Sequence, residues 1–291
     1  MLDGYLPAKL SEALDMMAEC DCIPFAGGTD LMVQHARGSG VRPCFDKTLL
    51  FVSALKELKT FDLMGKTLRI GAAVTLSELL ENAATPQIFK EILRQMAAAP
   101  TRHMATLAGN ICNASPAGDT LPYLYAMDAE VILQSRNETR VLPVADFITA
   151  PKRTQRKNDE LLTGIRIPAA EFNVESYRKL GQRKGMSLTK ASFLGLASTA
   201  NGRIEDIRIA LGSVAPHIVR SRKIESKLTG KNIKDIPGIL QELQKDYSAL
   251  IRPIDDARST AAYRKQVSLR LIRDFLINCM LKKYRNKERY V

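Results

Sequence analysis

The residues of this chain best suited to chemistry surround two adjacent glycines, in Pro24-Phe25-Ala26-Gly27-Gly28-Thr29-Asp30-Leu31. The apolar run Cys22 to Phe25 leads in and Leu31 to Val33 leads out, which predicts a strand, a tight turn and a further element. Paired glycines admit positive φ and bring bare N–H groups close to a ligand. Such a loop suits a phosphate or pyrophosphate. It is neither of the standard glycine loops, having no GxGxxG and no Lys-Ser/Thr pair at P-loop spacing. Alone, it also reads as ordinary turn punctuation. A second stretch, Thr106-Leu107-Ala108-Gly109-Asn110-Ile111-Cys112-Asn113-Ala114-Ser115-Pro116-Ala117-Gly118-Asp119, gathers small residues with side-chain amides and hydroxyls. So many short polar groups together call for a polar partner.

Together the two stretches resemble the FAD-binding medium subunit of molybdenum hydroxylases, the family of xanthine, carbon-monoxide and nicotinate dehydrogenases. Three later stretches fit as well: Glu160 to Pro168, Tyr177 to Lys184, and Ser259-Thr260-Ala261-Ala262-Tyr263-Arg264. The matches run in order along nearly the whole chain. The resemblance implies an α+β fold. This would be a two-subdomain FAD-binding fold of the vanillyl-alcohol-oxidase/PCMH type, followed by a C-terminal α+β domain with a small antiparallel sheet and helices. The expected domains are 1–55, 56–174 and 175–291.

By the same resemblance, Pro24, Phe25, Ala26, Gly27, Gly28, Thr29, Asp30 and Leu31 form one cofactor loop. Its N–H groups and the Thr29 hydroxyl would meet the FAD diphosphate. Asp30 either holds that loop or caps the following helix. Thr106, Ala108, Gly109 and Asn110 would contact the diphosphate and ribityl region, and Asp119 a sugar or ribityl hydroxyl. Ala108 stands where the family usually has glycine, which requires negative φ there. Met96 aligns with a cofactor contact and also reads as a core residue. Leu162 would touch the isoalloxazine ring. Lys179 would lie near the flavin's polar edge, where a cation stabilises reduced flavin; it also reads as a strand-edge lysine. His103 is given no role, and no catalytic side chain is expected.

The elements that must position these residues follow from periodicity. Leu10, Ala13, Leu14 and Met17 share a helical face within 10–19, with Ser11 near its start, and Leu49 to Val52 completes a βαβ-like unit. A strand is predicted over 67–74, and Thr75-Leu76-Ser77-Glu78 has capping-box spacing. Thr85-Pro86 opens a helix expected to carry Ile88, Ile92, Leu93 and Met96 on one side. A polar loop is expected over 101–119, then antiparallel strands at 129–134, 139–144 and 161–167, with a charged loop at 152–157. Strands at 176–181, 192–200 and 203–212 precede helices at 218–229, 233–247 and 258–283, the last burying Leu271, Ile272, Phe275 and Leu276.

Composition narrows the function. The 291 residues exceed one typical domain, and 45% hydrophobic with 25% charged residues suit a globular protein. No run of eighteen apolar residues supports a membrane span, and the N-terminus lacks a signal-peptide layout, so a cytoplasmic product is expected. The cysteines Cys20, Cys22, Cys44, Cys112 and Cys279 are odd in number and scattered, against a disulfide framework. None forms a CxxC, and His35, His103 and His217 sit near no cysteine pair, so no metal site is expected. By the resemblance, an iron–sulfur cluster would need an inserted cysteine-bearing loop, which is not visible here, so no cluster is expected on this chain. The net charge of +12 is spread out, dense only in the tail Lys282 to Arg289. With no Trp and 6% aromatics there is little stacking material, so a nucleic-acid partner is not expected.

The function implied is an electron-transfer flavoprotein subunit with FAD as its cofactor. A molybdopterin-binding large subunit and a [2Fe-2S] small subunit would deliver electrons, and NAD+ or another acceptor would take them. The alternatives are a self-sufficient FAD-dependent reductase or oxidase of the wider fold, and a cofactor-free basic scaffold or nucleic-acid-binding protein. The former needs a proton donor at its substrate, and no serine–glutamate pair stands out.

Overall fold

The computed structural model describes residues 4–183, 185–282 and 284. Apart from Lys282 and Tyr284, the dense basic tail lies outside the described residues, as does Lys184 at the end of the Tyr177 motif. The chain divides into two compact units. The first runs through Pro86 and adds Met96–Ser115 and Asp128–Ala169; the second takes Gln87–Gln95, Pro116–Met127 and the chain from Ala170 onward.

In the first unit, Ala13, Leu14 and Met17 are buried along the helix Leu10–Glu19, which begins after Lys9 without a side-chain cap from Ser11. The strand Cys22–Phe25 pairs in parallel with Thr48–Phe51. On its other side Thr48–Phe51 pairs with Gly4–Tyr5, a two-residue strand too short to carry a period. A five-stranded antiparallel sheet follows, in the order Phe61–Met64, Thr67–Gly71, Leu161–Pro168, Glu130–Gln134, Thr139–Pro143. Its central strand bulges between Leu162 and Gly164. Thr75 caps the helix Leu76–Glu81 through a complete capping box with Glu78, as its spacing predicts. The expected charged loop at 152–157 contains the strand Arg153–Thr154, paired with Ile148–Ala150.

The expected polar loop at 101–119 is largely helical. Short helices span Ala99–Met104 and Leu107–Cys112, each too brief for an amphipathic pattern to show in the sequence.

In the second unit the helix Gln87–Arg94 buries Ile88, Phe89, Ile92 and Leu93. It ends before Met96, so Met96 does not share its apolar face; the backbone turns left-handed at Ala97, φ 51°. Val174–Leu180, Ala191–Ala200 and Arg203–Gly212 form an antiparallel sheet in chain order. The helix expected at 218–229 is a single turn, Arg222–Glu225, capped by Ser221 and followed by Gly230 at φ +81°. Helices Ile236–Leu250 and Ala261–Asp274 follow, the latter continuing as a wider π-turn segment, Phe275–Lys282. Ile272, Phe275 and Leu276 join the core with Phe193, Ile209, Leu211 and Tyr247, while Leu271 is only partly buried against it. Among the described residues no helix is long and apolar enough to cross a membrane.

One buried ion pair locks the first unit. Glu160, 3% exposed, accepts from Arg140 Nε at 2.5 Å and Nη2 at 2.9 Å, and from the Lys157 N–H at 2.7 Å. Burial opposes its ionisation, but these donors prevail and hold the carboxyl below its usual value. Its stabilisation is therefore present above the unfolded carboxyl pKa and lost as pH falls through the folded one. Glu160→Gln should lower stability by roughly 2 kcal/mol at pH 7. In denaturant titrations the gap from wild type should shrink as pH drops below about 4.

Candidate functional site

In the first unit the strand Cys22–Phe25 delivers the glycine turn. Phe25 packs on Phe51 with ring centroids 5.1 Å apart, forming a floor beneath the loop. Gly28 lies on that floor at φ +66°, where an added Cβ would come 2.2 Å from the Phe25 ring. At Gly27 a Cβ would come 1.8 Å from the Met104 carbonyl oxygen, so backbone packs directly on backbone. Both glycines are thus required by space, and Gly28 by conformation as well. Among the described residues, no acceptor is hydrogen-bonded to the N–H groups of Gly27, Gly28, Thr29 or Asp30. The loop is half-buried from Ala26 through Thr29, and Asp30 is exposed. Half-buried donors without a chain partner match a ligand rich in acceptor oxygens, so the loop fits the diphosphate of FAD.

Asp30 makes no side-chain cap on the helix Leu31–Gln34. Its carboxylate accepts from Asn113 Nδ2 at 2.9 Å. The Asn113 side-chain oxygen, Oδ1, accepts from Gln34 Nε2 at 2.9 Å and from the ammonium of Lys152. Asp30 therefore fastens the glycine loop to the second polar stretch. Asn113 lay inside the quoted motif without a role, and nothing in the local sequence marks Gln34 or Lys152.

Thr106 caps the helix Leu107–Cys112, its hydroxyl accepting from the Gly109 N–H at 3.0 Å. Ala108, Gly109 and Asn110 lie in that helix's first turns. Ala108 is not among the residues at positive φ, so its methyl is accommodated. Asn110 is 9% exposed. Met96 is half-buried, its carbonyl accepting from Arg102 Nη1 at 2.8 Å. Leu162 is 3% exposed in the central strand, paired with Leu133 beside the bulge.

In the second unit Asp119 and Lys179 form a buried ion pair, Nζ to Oδ2 2.6 Å, with side chains 7% (Lys179) and 10% (Asp119) exposed. Lys179 lies on an edge strand of its sheet, but its side chain is buried there and not free at the surface. Its ammonium also donates to the Gln95 carbonyl at 3.0 Å, and Asp119 Oδ1 accepts from the Thr189 hydroxyl at 2.6 Å. The buried hydroxyl of Tyr177, two residues before Lys179 on the same strand, has no hydrogen-bond partner among the described residues. Burial and the charge of Asp119 push its phenol well above the usual value, keeping it a neutral donor. An orphaned donor within the field of a buried carboxylate suits a ligand carrying acceptor oxygens. Neither Tyr177 nor Thr189 is singled out by sequence alone, because a tyrosine or threonine in a strand pattern reads as packing.

Gly27→Ala should destabilise the first unit by roughly 2 kcal/mol or more, because the Met104 carbonyl must move. Gly238→Ala, whose added methyl meets nothing within 4 Å in the helix Ile236–Leu250, should be neutral or slightly stabilising. Urea unfolding midpoints of the two variants test the contrast.

Residues 1–170 match the family described as the FAD binding domain in molybdopterin dehydrogenase. Residues 176–279 match the CO dehydrogenase flavoprotein C-terminal domain. The chain is 28% identical over 269 residues to the glyceraldehyde dehydrogenase medium chain of Sulfolobus acidocaldarius, covering 91% of this chain and 93% of that protein. It is 26% identical over 284 residues to the xanthine dehydrogenase FAD-binding subunit of Escherichia coli O157:H7, covering 95% and 92%. The fold is similar to that of a carbon monoxide dehydrogenase from Hydrogenophaga pseudoflava, with a TM-score of 0.85, 23% identity and 97% of each chain covered.

Proposed function

The chain belongs to the family of FAD-binding medium subunits of molybdenum hydroxylases, and from that membership we propose its place in an electron-transfer complex. It binds FAD as an oxidoreductase subunit. In the proposed complex a molybdopterin-binding large subunit and a [2Fe-2S] small subunit supply electrons, and NAD+ or another acceptor removes them. Bound FAD supplies two-electron and one-electron chemistry. The observation that carries the reading is the half-buried glycine loop whose N–H groups have no acceptor among the described residues.

The roles of the chain's own residues follow from their chemistry. Pro24 and Phe25 set the loop, and the N–H groups of the Ala26–Leu31 segment with the Thr29 hydroxyl bind the diphosphate. Asp30 orients that loop through Asn113. Thr106, Ala108, Gly109 and Asn110 present a close-packed polar helix start to the diphosphate and ribityl chain. Asp119 accepts from a ribityl or sugar hydroxyl, and Lys179 offers a cation to the flavin's polar edge. Leu162 supplies an apolar contact to the ring, and Met96 a lesser one. No side chain moves a proton in this scheme.

A division at 1–55, 56–174 and 175–291 is part of the proposal, supported by a separate sheet within each part. A cytoplasmic setting is supported by five free cysteines, as a reducing compartment would leave them.

Purification from the native source, with a visible spectrum and mass identification of co-purifying chains, tests the proposal. Flavin absorption, a large molybdenum-binding chain and a small iron–sulfur chain are expected, with flavin reoxidised on adding NAD+ or an artificial acceptor. A colourless chain that takes up no added FAD would overturn it.

A further inference from the structure

The motif Ser259 to Arg264 matches the family yet has no part in the scheme above, and it holds the most deeply buried charged side chain among the described residues. Arg264 is 2% exposed. Its Nη1 donates to the Ser213 carbonyl at 3.0 Å and its Nη2 to Asp256 Oδ1 at 2.6 Å. Asp256 Oδ2 accepts from Arg258 Nη2 at 2.6 Å and Nε at 3.0 Å. Arg258 Nη1 reaches the Thr189 carbonyl at 3.4 Å, and the Thr189 hydroxyl donates to Asp119. In the other direction, Ser213, held at φ +63°, donates its N–H to the Pro116 carbonyl at 2.9 Å. Pro116 lies three residues before Asp119. The hydrogen bonds therefore close a ring that leaves segment 116–119 at its backbone and returns to it at the Asp119 carboxylate.

Such a ring has a physical purpose that packing alone does not supply. A carboxylate with two oxygens and free rotation can collapse onto one ammonium; Thr189 holds Oδ1 while Lys179 holds Oδ2. Thr189 is 2% exposed, so its hydroxyl has no water to exchange with. Asp256 in turn fixes both arginines, and the Arg258 hydrogen bonds, with Arg264, keep its carboxyl well below the usual range. Ser213 occupies a backbone region costly for a side-chain-bearing residue, and Arg264 binds its carbonyl.

We propose that Thr189, together with the Asp256–Arg258–Arg264 cluster, is a positioning device that sets the orientation of the Asp119–Lys179 pair toward FAD. The inference rests on the proposed roles of Asp119 and Lys179. Thr189 and the cluster touch no cofactor themselves; they determine where the acceptor and the cation stand.

The test uses the full chain, or the complex if it purifies as one, loaded with FAD. Thr189→Val removes the hydroxyl at nearly constant volume, and Thr189→Ser restores it. Asp256→Asn removes the charge that joins the arginines. The FAD dissociation constant of Thr189→Val should rise about tenfold or more, the loss of one hydrogen bond to a charged group. Its flavin midpoint potential should shift, Thr189→Ser should recover both values, and Asp256→Asn should shift both in the same direction as Thr189→Val. Far-UV circular dichroism and melting temperature report folding separately, and if Asp256→Asn does not fold, the Thr189 pair decides. Wild-type affinity and potential in Thr189→Val would overturn the inference while leaving FAD binding intact. So would equal losses in Thr189→Val and Thr189→Ser. A wild-type protein that binds no FAD would overturn the proposed function and this inference with it.

Discussion

The second unit depends on a charge that has to be buried in pairs. Moving a carboxylate or ammonium out of water costs several kcal/mol, recovered only with good geometry and with every remaining lone pair and proton satisfied. Asp119 and Lys179 meet that cost in part through each other, the Thr189 hydroxyl and the Gln95 carbonyl. The requirement ties together three stretches distant in sequence: the end of the helix Gln87–Arg94, the segment Pro116–Met127, and the strand Val174–Leu180. Phe89 stacks on Tyr123 with centroids 4.3 Å apart, giving the first two of these stretches an apolar seam. Removal of either ion would leave its partner buried and alone, so the pair cannot drift without cost to the fold.

The first unit solves a different problem with backbone instead of charge. A diphosphate carries its negative charge on oxygens that N–H groups can reach where side chains would crowd. Gly27 and Gly28 are held by contacts that leave no room for a Cβ, and Asp30 fastens the loop to Asn113. Rigid N–H donors in the first unit are the proposed means of holding the diphosphate. Donors held in place before a ligand arrives limit the ordering cost of binding.

Sequence reading succeeded where local physics dominates. The helix Leu10–Glu19, the capping box at Thr75 and the long strands Ala191–Ala200 and Arg203–Gly212 all announce themselves through period or cap chemistry. The family resemblance rests on ordered motifs, and it anticipated the fold. The failures have common causes. Two-residue strands such as Gly4–Tyr5 and six-residue helices such as Leu107–Cys112 are shorter than the window in which a period can be counted. The helix expected to include Met96 stops at Arg94, ahead of a left-handed residue, Ala97, that composition does not reveal. The role of Asp30 turned on Asn113, eighty-three residues away, and that of Lys179 on Asp119, sixty residues away. Pairings at such separations are properties of the fold, and no local pattern encodes them.

The most direct measurement is the midpoint potential of the bound flavin in Lys179→Met, compared with wild type by spectroelectrochemical titration. In the proposed site the Lys179 cation, oriented by Asp119, stands at the flavin's polar edge, where it favours the negative charge of the reduced state. Its removal should give a potential lower by on the order of 30 mV or more, about 1.4 kcal/mol for a two-electron couple. A variant that holds FAD with a normal spectrum at the wild-type potential would contradict that placement, and would reduce the Asp119–Lys179 pair to a structural brace.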